Sequence, residues 1–475
     1  MLFNSFHFLL FFPIVAGLYF IMPYKYRWLW LLFASCFFYM FFKAVYILIL
    51  FFTILIDYFA GIYIEKAKLP KTKKSLMMIS IVANVLVLGI FKYFNFLNDS
   101  VSGILSWAGY SNPVPALAIL LPIGLSFHTF QAMSYTIEVY RGNQKAEHKF
   151  GIYALYVMFF PQLVAGPIER PQNMLHQFYE KHPFNPYDAS EGLKRILIGL
   201  FKKVVVADRL AIYVNAVYGN YEHHGSLSLI MATVLFSFQI YCDFSGYSDI
   251  AIGTARILGF RLMENFDRPY FARSISEFWS KWHISLSTWF RDYLYIPMGG
   301  NRVSTLKWYS NLFVVFMLSG LWHGANWTFI VWGALHGTYL ILEIMFRKLR
   351  GPFQKWKFLS MPNLNGLLQV TFTFLLVTLA WIFFRADNIA QALGILKRIF
   401  SFEPGFFLGQ PNYFFYSILA ILSLLCYELR QEFHWPGIAV SDLRFPWRLL
   451  TYGALVFAIM LFGVFDGSQF IYFQF

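Results

Sequence analysis

Apolar runs of bilayer length recur from one end of this chain to the other. A helix crossing the hydrocarbon core needs roughly 20 predominantly apolar residues. Runs of about that size lie near 6–23, 27–42, 45–64, 76–97, 114–137, 151–167, 194–218, 227–258, 310–345, 367–386, 412–429 and 449–465. In lipid, every backbone N–H and C=O must find its partner within the protein, which favours helices. The pattern predicts an all-α polytopic membrane protein with about 10–12 transmembrane or re-entrant helices. Charge content agrees. Only 13% of the 475 residues are charged, against about a quarter in soluble domains.

The first run, "MLFNSFHFLLFFPIVAGLYF", has no basic leader and passes straight into more apolar sequence. It reads as a retained first helix rather than a cleaved signal. The net charge of +14 fits the basic bias of cytoplasmic loops. "EKAKLPKTKK" (65–74) and "FRKLRGPFQKWK" (346–357) are the clearest such loops, and both are assigned to the cytoplasmic side. Three spans before Glu65 would then place the N-terminus outside. Basic residues scattered between apolar spans do not make a nucleic-acid face. Cys36, Cys242 and Cys426 are isolated in sequence and suggest neither a zinc site nor a disulfide framework.

No internal repeat or low-complexity linker divides the chain, so it reads as a single domain over 1–475. The middle, about 236–340, differs from the rest. It keeps the aromatic residues and adds many polar and ionisable ones. Polar groups at membrane depth are costly and face a protein interior or a wet cavity, so the chemistry is expected there. The segment 274–296 has helical spacing at Phe278, Trp282, Trp289 and Tyr293, with Ser274 or Ser276 as cap, and Pro297 with Gly299–Gly300 ends it. Asp243 and Asp249 fall on different faces of one helix. They serve either as internal ion pairs or as lining of a substrate path.

Two histidines stand out. His283 lies in "SKWHISLSTWF", with Ser287 one turn on, and His323 in "GLWHGANW", forty residues later. Acyl transfer to a hydroxyl needs a base, and imidazole suits that task near neutral pH. A second polar group would orient the base or polarise the carbonyl. Gly320, Gly324 and Gly333 around His323 would permit close approach of backbone or substrate. On a continuous helix His336 would stand about 220° around from His323, which points to a structural role. His223 and His224 read as solvated loop residues. No HxxxH pair is present and no carboxylate stands at ligand spacing, so no metal is expected. Nucleophile-elbow and Walker patterns are absent too.

"EFWSKWHISLSTWFRDYLYIPMGGNR" followed by "GLWHGANWTFIVWGALHG" resembles the membrane-bound O-acyltransferases. Within that family the chain is similar to the bacterial branch containing the alginate O-acetylation membrane protein. "LLPIGLSFHTFQAMSYTIEVYRG", "FPQLVAGPIERP", "FKKVVVADRL", residues 242–253 and "GFRLMENFDRPY" carry the likeness to about residue 400, and the spans over 401–475 add little. The resemblance implies a ring of helices around a central funnel. It puts the catalytic histidine at His323 and the second polar position at His283. Trp282, Ser287, Trp322, Asn326, Gln239, Asp243 and Ser245 are then the candidates for contact with substrate. It also implies acetyl-CoA as donor and no permanently bound cofactor. An extracytoplasmic Ser-His-Asp acetyltransferase is the implied partner, an exported polysaccharide such as alginate the acceptor, and the cytoplasmic (inner) membrane the location. Peptidoglycan or cellulose acetylation and D-alanyl transfer to teichoic acid are the alternatives within the family. Glu169 and His128 stand where apolar or aromatic residues are expected. A donor tunnel from the cytoplasm between His283 and His323 is predicted, with Lys281, Arg291, Arg302, Lys202 and Lys203 as candidates for its basic mouth. A transporter of lipid-linked glycan and a scaffold with packing histidines are the rival readings. Paired broken halves would favour the transporter, and none is visible.

Overall fold

The computed structural model describes residues 1–118, 122–349, 362–434, 444–465 and 470–471, and they form helices and connecting segments with no strand. Among the described residues, six helical stretches are long and apolar enough to cross a membrane: Ala44–Lys66, Pro70–Trp107, Ser226–Ile257, Trp327–Phe346, Leu364–Arg385 and Pro411–Glu432. Phe6–Ile21 and Pro446–Phe462 are shorter apolar helices. The protein is an all-α polytopic membrane protein.

Several apolar runs resolve differently from their sequence pattern. The run 114–137 yields a helix only from Leu125, after Gly124 turns the chain at φ +76; residues 119–121 lie outside the described residues. The run 151–167 forms Phe150–Met158 and then breaks at Phe159 before Pro161. Its side chains are almost all buried, so it is core rather than lipid-facing. The run 310–345 is two helices, not one. Within the basic stretch 65–74, only residues 67–69 connect the helices Ile47–Lys66 and Pro70–Leu88. Most of the other basic stretch, from Arg350 to Lys357, lies outside the described residues.

The chain divides into two compact units. The first comprises Met1–Ile196 and Ile250–Met263. A buried polar clasp ties three of its helices. The Asp57 carboxylate accepts from Ser80, from Asn84 Nδ2 at 2.9 and 3.0 Å, and from Thr136 at 3.5 Å. A buried polar group without such partners would cost stability, so the clasp fixes how these helices pack. His128 and Glu169 are both buried here. His128 Nε2 meets the Thr53 hydroxyl at 3.1 Å. Glu169 accepts from the Met263 N–H at 2.5 Å, and burial pushes its carboxyl up to about 7.

The second unit comprises Leu197–Asp249 and Glu264–Gln474, and it holds every candidate site residue. Its frame includes Ser226–Ile257 as far as Asp249, the pair Thr305–His323 and Trp327–Leu349, and Pro362–Arg385.

Candidate active site

His323 is the last residue of Thr305–His323, and Gly324 then leaves the helix at φ −157. The chain turns through Gly324–Asn326 and returns as Trp327–Leu349. The glycines serve this hairpin. A Cβ on Gly320 would fall 2.1 Å from the Phe329 carbonyl oxygen, and one on Gly333 would fall 2.3 Å from that of Phe316. At Gly324 it would meet the Phe329 ring at 2.1 Å. The close approach is therefore between protein segments, backbone to backbone at two of the three positions.

His283 also stands at a break. Segment 274–296 is not the single helix that its spacing suggests. Ser274 caps Ile275–Lys281 by accepting from Glu277 N at 3.1 Å. Trp282 is extended, His283 is left-handed at φ +43, and a new helix runs over Ile284–Phe290. A left-handed non-glycine residue is disfavoured unless its surroundings hold it. Here the buried side chain of Asn265 does so, accepting from Ser285 N at 3.2 Å, from Ser285 Oγ at 2.9 Å and meeting His283 Nδ1 at 3.1 Å.

The two breaks bring the imidazoles of His283 and His323 to 6.5 Å between ring centroids. Both are buried. Phe244 packs edge-on against His283 at 4.5 Å. Trp322, Trp332 and Phe384 surround His323 at 5.0, 5.1 and 5.4 Å. Burial pushes His283 down to about 3, so the ring is neutral at rest, the form a base requires.

His336 is not on a continuous helix with His323, so the 220° offset does not apply. It lies across Trp332 from His323, at 4.9 Å from that indole, and accepts from Trp279 Nε1 at 3.3 Å.

The remaining candidates separate by their surroundings. Trp282 is fully buried against Phe266 and Trp381, and Trp322 packs on both histidines. Asn326 braces the hairpin turn, donating to the Asp387 carbonyl at 2.8 Å and accepting from Thr328 N at 3.1 Å. The Ser287 hydroxyl donates to the Trp282 carbonyl at 3.2 Å. Gln239 Oε1 and Ser245 Oγ are buried without a hydrogen-bond partner among the described residues, which leaves both free to meet a substrate. Asp243 is an internal ion pair. Lys203 bridges it and Asp208 at 2.6 and 2.7 Å, and the Ile471 N–H donates to its other oxygen at 2.7 Å. Lys202 pairs with Asp249 at 2.8 Å. A widened helical turn over Phe201–Ala207 allows the two successive lysines to reach the same long helix. Both lysines are thus committed inside the protein and do not form a basic mouth. Lys281 is held by Glu277 at 3.0 Å.

Three features went unread in the sequence. Asn265 lies in a segment with no local signal for a role beside His283. Phe470, which packs against Phe244 and Tyr247 at 5.5 and 5.1 Å between ring centroids, lies in a C-terminal stretch where the sequence offered no motif. Trp381 and Phe384 look like ordinary apolar positions of a span.

A cavity of about 770 Å³ lies beside the helices that carry the histidine pair, with Ile284, next to His283 in sequence, in its wall. Trp279, Ser280, Ser287, Thr288, Arg291 and Trp308 contribute to its wall, and Ser319 lies on it one turn before His323. Neither His283 nor His323 is among its lining residues, so this cavity is not the tunnel between them that the sequence reading predicts.

The profile of the membrane-bound O-acyltransferase family matches residues 143–386. The probable alginate O-acetylase of Pseudomonas aeruginosa is 39% identical, covering 92% of this chain and 83% of the relative. The chain belongs to the membrane-bound O-acyltransferase family. As a member, it is an O-acyltransferase, and the transporter and scaffold readings fall. The peptidoglycan O-acetyltransferase of Helicobacter pylori is 35% identical, covering 94% of this chain and 91% of the relative. The teichoic acid D-alanyltransferase of Bacillus subtilis is 26% identical over 56% of this chain and 70% of the relative. Both histidine breaks of this O-acyltransferase fall inside the matched region.

Proposed function

We propose that this O-acyltransferase takes an acetyl group from acetyl-CoA and passes it across the cytoplasmic membrane for O-acetylation of an exported cell-surface polysaccharide such as alginate. The observation that carries the reading is the pair of buried imidazoles 6.5 Å apart, each at a helix break. His323 takes the proton of the attacking hydroxyl as the oxygen adds to the thioester carbonyl. The tetrahedral intermediate then expels the CoA thiolate, which recovers that proton. His283 orients the reacting group or shares its developing charge. An extracytoplasmic Ser-His-Asp acetyltransferase is the partner that would receive the acetyl group and place it on the glycan.

The cavity beside Ser319 suits the donor. Its size lies within the roughly 300–1,000 Å³ of ligand pockets, and exposed Arg291 stands on its wall. Leu340 and Ile344 line it toward the end of the helix that leads into the basic stretch 346–357, which the charge rule assigns to the cytoplasm. D-alanyl transfer is the second reading, supported by the teichoic acid relative; peptidoglycan acetylation is supported by another.

His323→Ala tests the assignment. The variant is expected to insert in the membrane and to abolish acetylation of the surface polysaccharide, while glycan export continues. Normal acetylation by a well-expressed variant overturns the role of His323. Purified protein that consumes neither acetyl-CoA nor an acylated carrier overturns the donor.

A further inference from the structure

The hydrogen-bond pattern around Asn265 fixes more than a loop. Its backbone carbonyl accepts from Ile284 N at 2.9 Å, and its side-chain Nδ2 donates to Ser248 Oγ at 3.2 Å. The other amide atom faces Ser285 N at 3.2 Å, Ser285 Oγ at 2.9 Å and His283 Nδ1 at 3.1 Å. A backbone N–H can only donate. The atom facing Ser285 N is therefore the amide oxygen, whatever the electron count of the two amide atoms. An oxygen that already accepts cannot donate to the ring, so His283 Nδ1 must carry a hydrogen. In a neutral imidazole that makes Nε2 the basic nitrogen.

We propose that Asn265 is a positioning residue that locks His283 as the Nδ1–H tautomer and so selects Nε2 as its reactive nitrogen. The inference rests on the reading of His283 as part of the acyl-transfer site. Groups packed on the ring include Phe244 from the long helix, Phe266 beside Asn265, and Trp322 and His323 from the hairpin. His323 is the titratable one among them. The nearby acid on the long helix, Asp243, is occupied by Lys203 and the Ile471 N–H. Asp267 and Lys281 flank the junction: Asp267 pairs with Arg268 and Lys281 with Glu277. An amide oxygen orients the ring without charging it, whereas a carboxylate at the same place would favour the imidazolium.

Asn265→Asp separates a tautomer lock from simple bracing of the junction. Its carboxylate still accepts from Ser285 and His283, and Ser248 Oγ turns to donate. The acid limb of the kcat/KM profile for acetyl transfer is expected to move up by about one pH unit or more. Asn265→Ala is expected to lower kcat about 100-fold or more with KM for acetyl-CoA little changed. An active Asn265→Asp protein with the unaltered pH profile overturns the proposal. Should that variant fail to fold, 15N-histidine magnetic resonance of the unaltered protein decides the matter, with His283 assigned by its absence from His283→Gln. Hydrogen on Nδ1 supports the lock and hydrogen on Nε2 overturns it. A fully active His283→Ala protein would refute the catalytic reading of His283 while leaving that spectrum as it is, so the two failures are distinct.

Discussion

Gly320→Ala should silence the enzyme without unfolding it. The added methyl would lie 2.1 Å from the Phe329 carbonyl oxygen and 3.2 Å from Gly333 N. Ordinary contact is about 3.5–4.0 Å, so the hairpin must open by more than ~1 Å at this level. The obstacle is helical backbone and has no rotamer to change. Overpacking of this kind costs about 1–3 kcal/mol, which a folded membrane domain survives. The catalytic cost is larger. His323 lies three residues on in the same helix, and a misplacement of 1 Å can cost about 100-fold in rate. Acetyl transfer per inserted protein, measured from radiolabelled acetyl-CoA in reconstituted membranes, should therefore fall about 100-fold. Gly453→Ala is the control, because nothing lies within 4 Å of a Cβ there; it should leave transfer unchanged. If Gly320→Ala accumulates normally and keeps its rate within about threefold, the hairpin does not set the position of His323.

Three further outcomes are expected. His283→Ala should reduce acetyl transfer more than His336→Ala, since His336 faces Trp279 and Trp332 rather than the His283 ring; assays of both variants at equal expression would expose the opposite order. Lys203→Met should deplete folded protein, because it leaves Asp243 and Asp208 buried without their cation, a loss of about 3–5 kcal/mol for a broken buried pair; normal thermal stability in detergent would contradict the ion-pair account. Glu169 has its folded-state value raised from 4.5 to about 7 by burial, so the native protein holds a proton that the unfolded chain releases. Its contribution is intact below about pH 4.5 and declines as pH rises toward 7 and beyond. Glu169→Gln keeps an acceptor for Met263 N, so unfolding midpoints measured from pH 5 to 8 should show a shallower decline for the variant, and parallel curves would argue against a protonated Glu169.

The sequence made the helical class legible because bilayer length and scarce charge are local properties of each run. It singled out His283 and His323 because imidazoles stand out in apolar surroundings, and the fold brings the two rings to 6.5 Å. What it hid was the backbone between them. The turn at Gly324–Asn326 is only three residues long within the apolar run 310–345, so a hydropathy pattern cannot distinguish a hairpin from a long helix. "SKWHISLS" has neither glycine nor proline at its break. The left-handed turn at His283 is imposed by Asn265 from another segment, a tertiary cause with no local trace. Lys202 and Lys203 fit a phosphate-binding mouth by charge alone. Beyond nearby Asp208, their partners Asp249 and Asp243 lie forty or more residues away, and only the fold reveals that these charges are already paired.

The position of both histidines at helix ends has a physical reason. Within a continuous helix the backbone polar groups are consumed by the helix itself, and the side chains of an apolar face meet other side chains. A helix that stops inside the protein releases backbone donors and acceptors, and irregular backbone is tolerated there only when buried in protein or bordering a wet cavity. His323 ends one helix and His283 begins another, so each ring extends from a point where the chain is already held by tertiary contacts. Asn265 satisfies the freed groups at one break and Asn326 those at the other. An acyltransferase that works inside an apolar protein needs places where polar atoms can stand without lipid around them. Two interrupted helices whose terminal histidines stand 6.5 Å apart between ring centroids offer such a place.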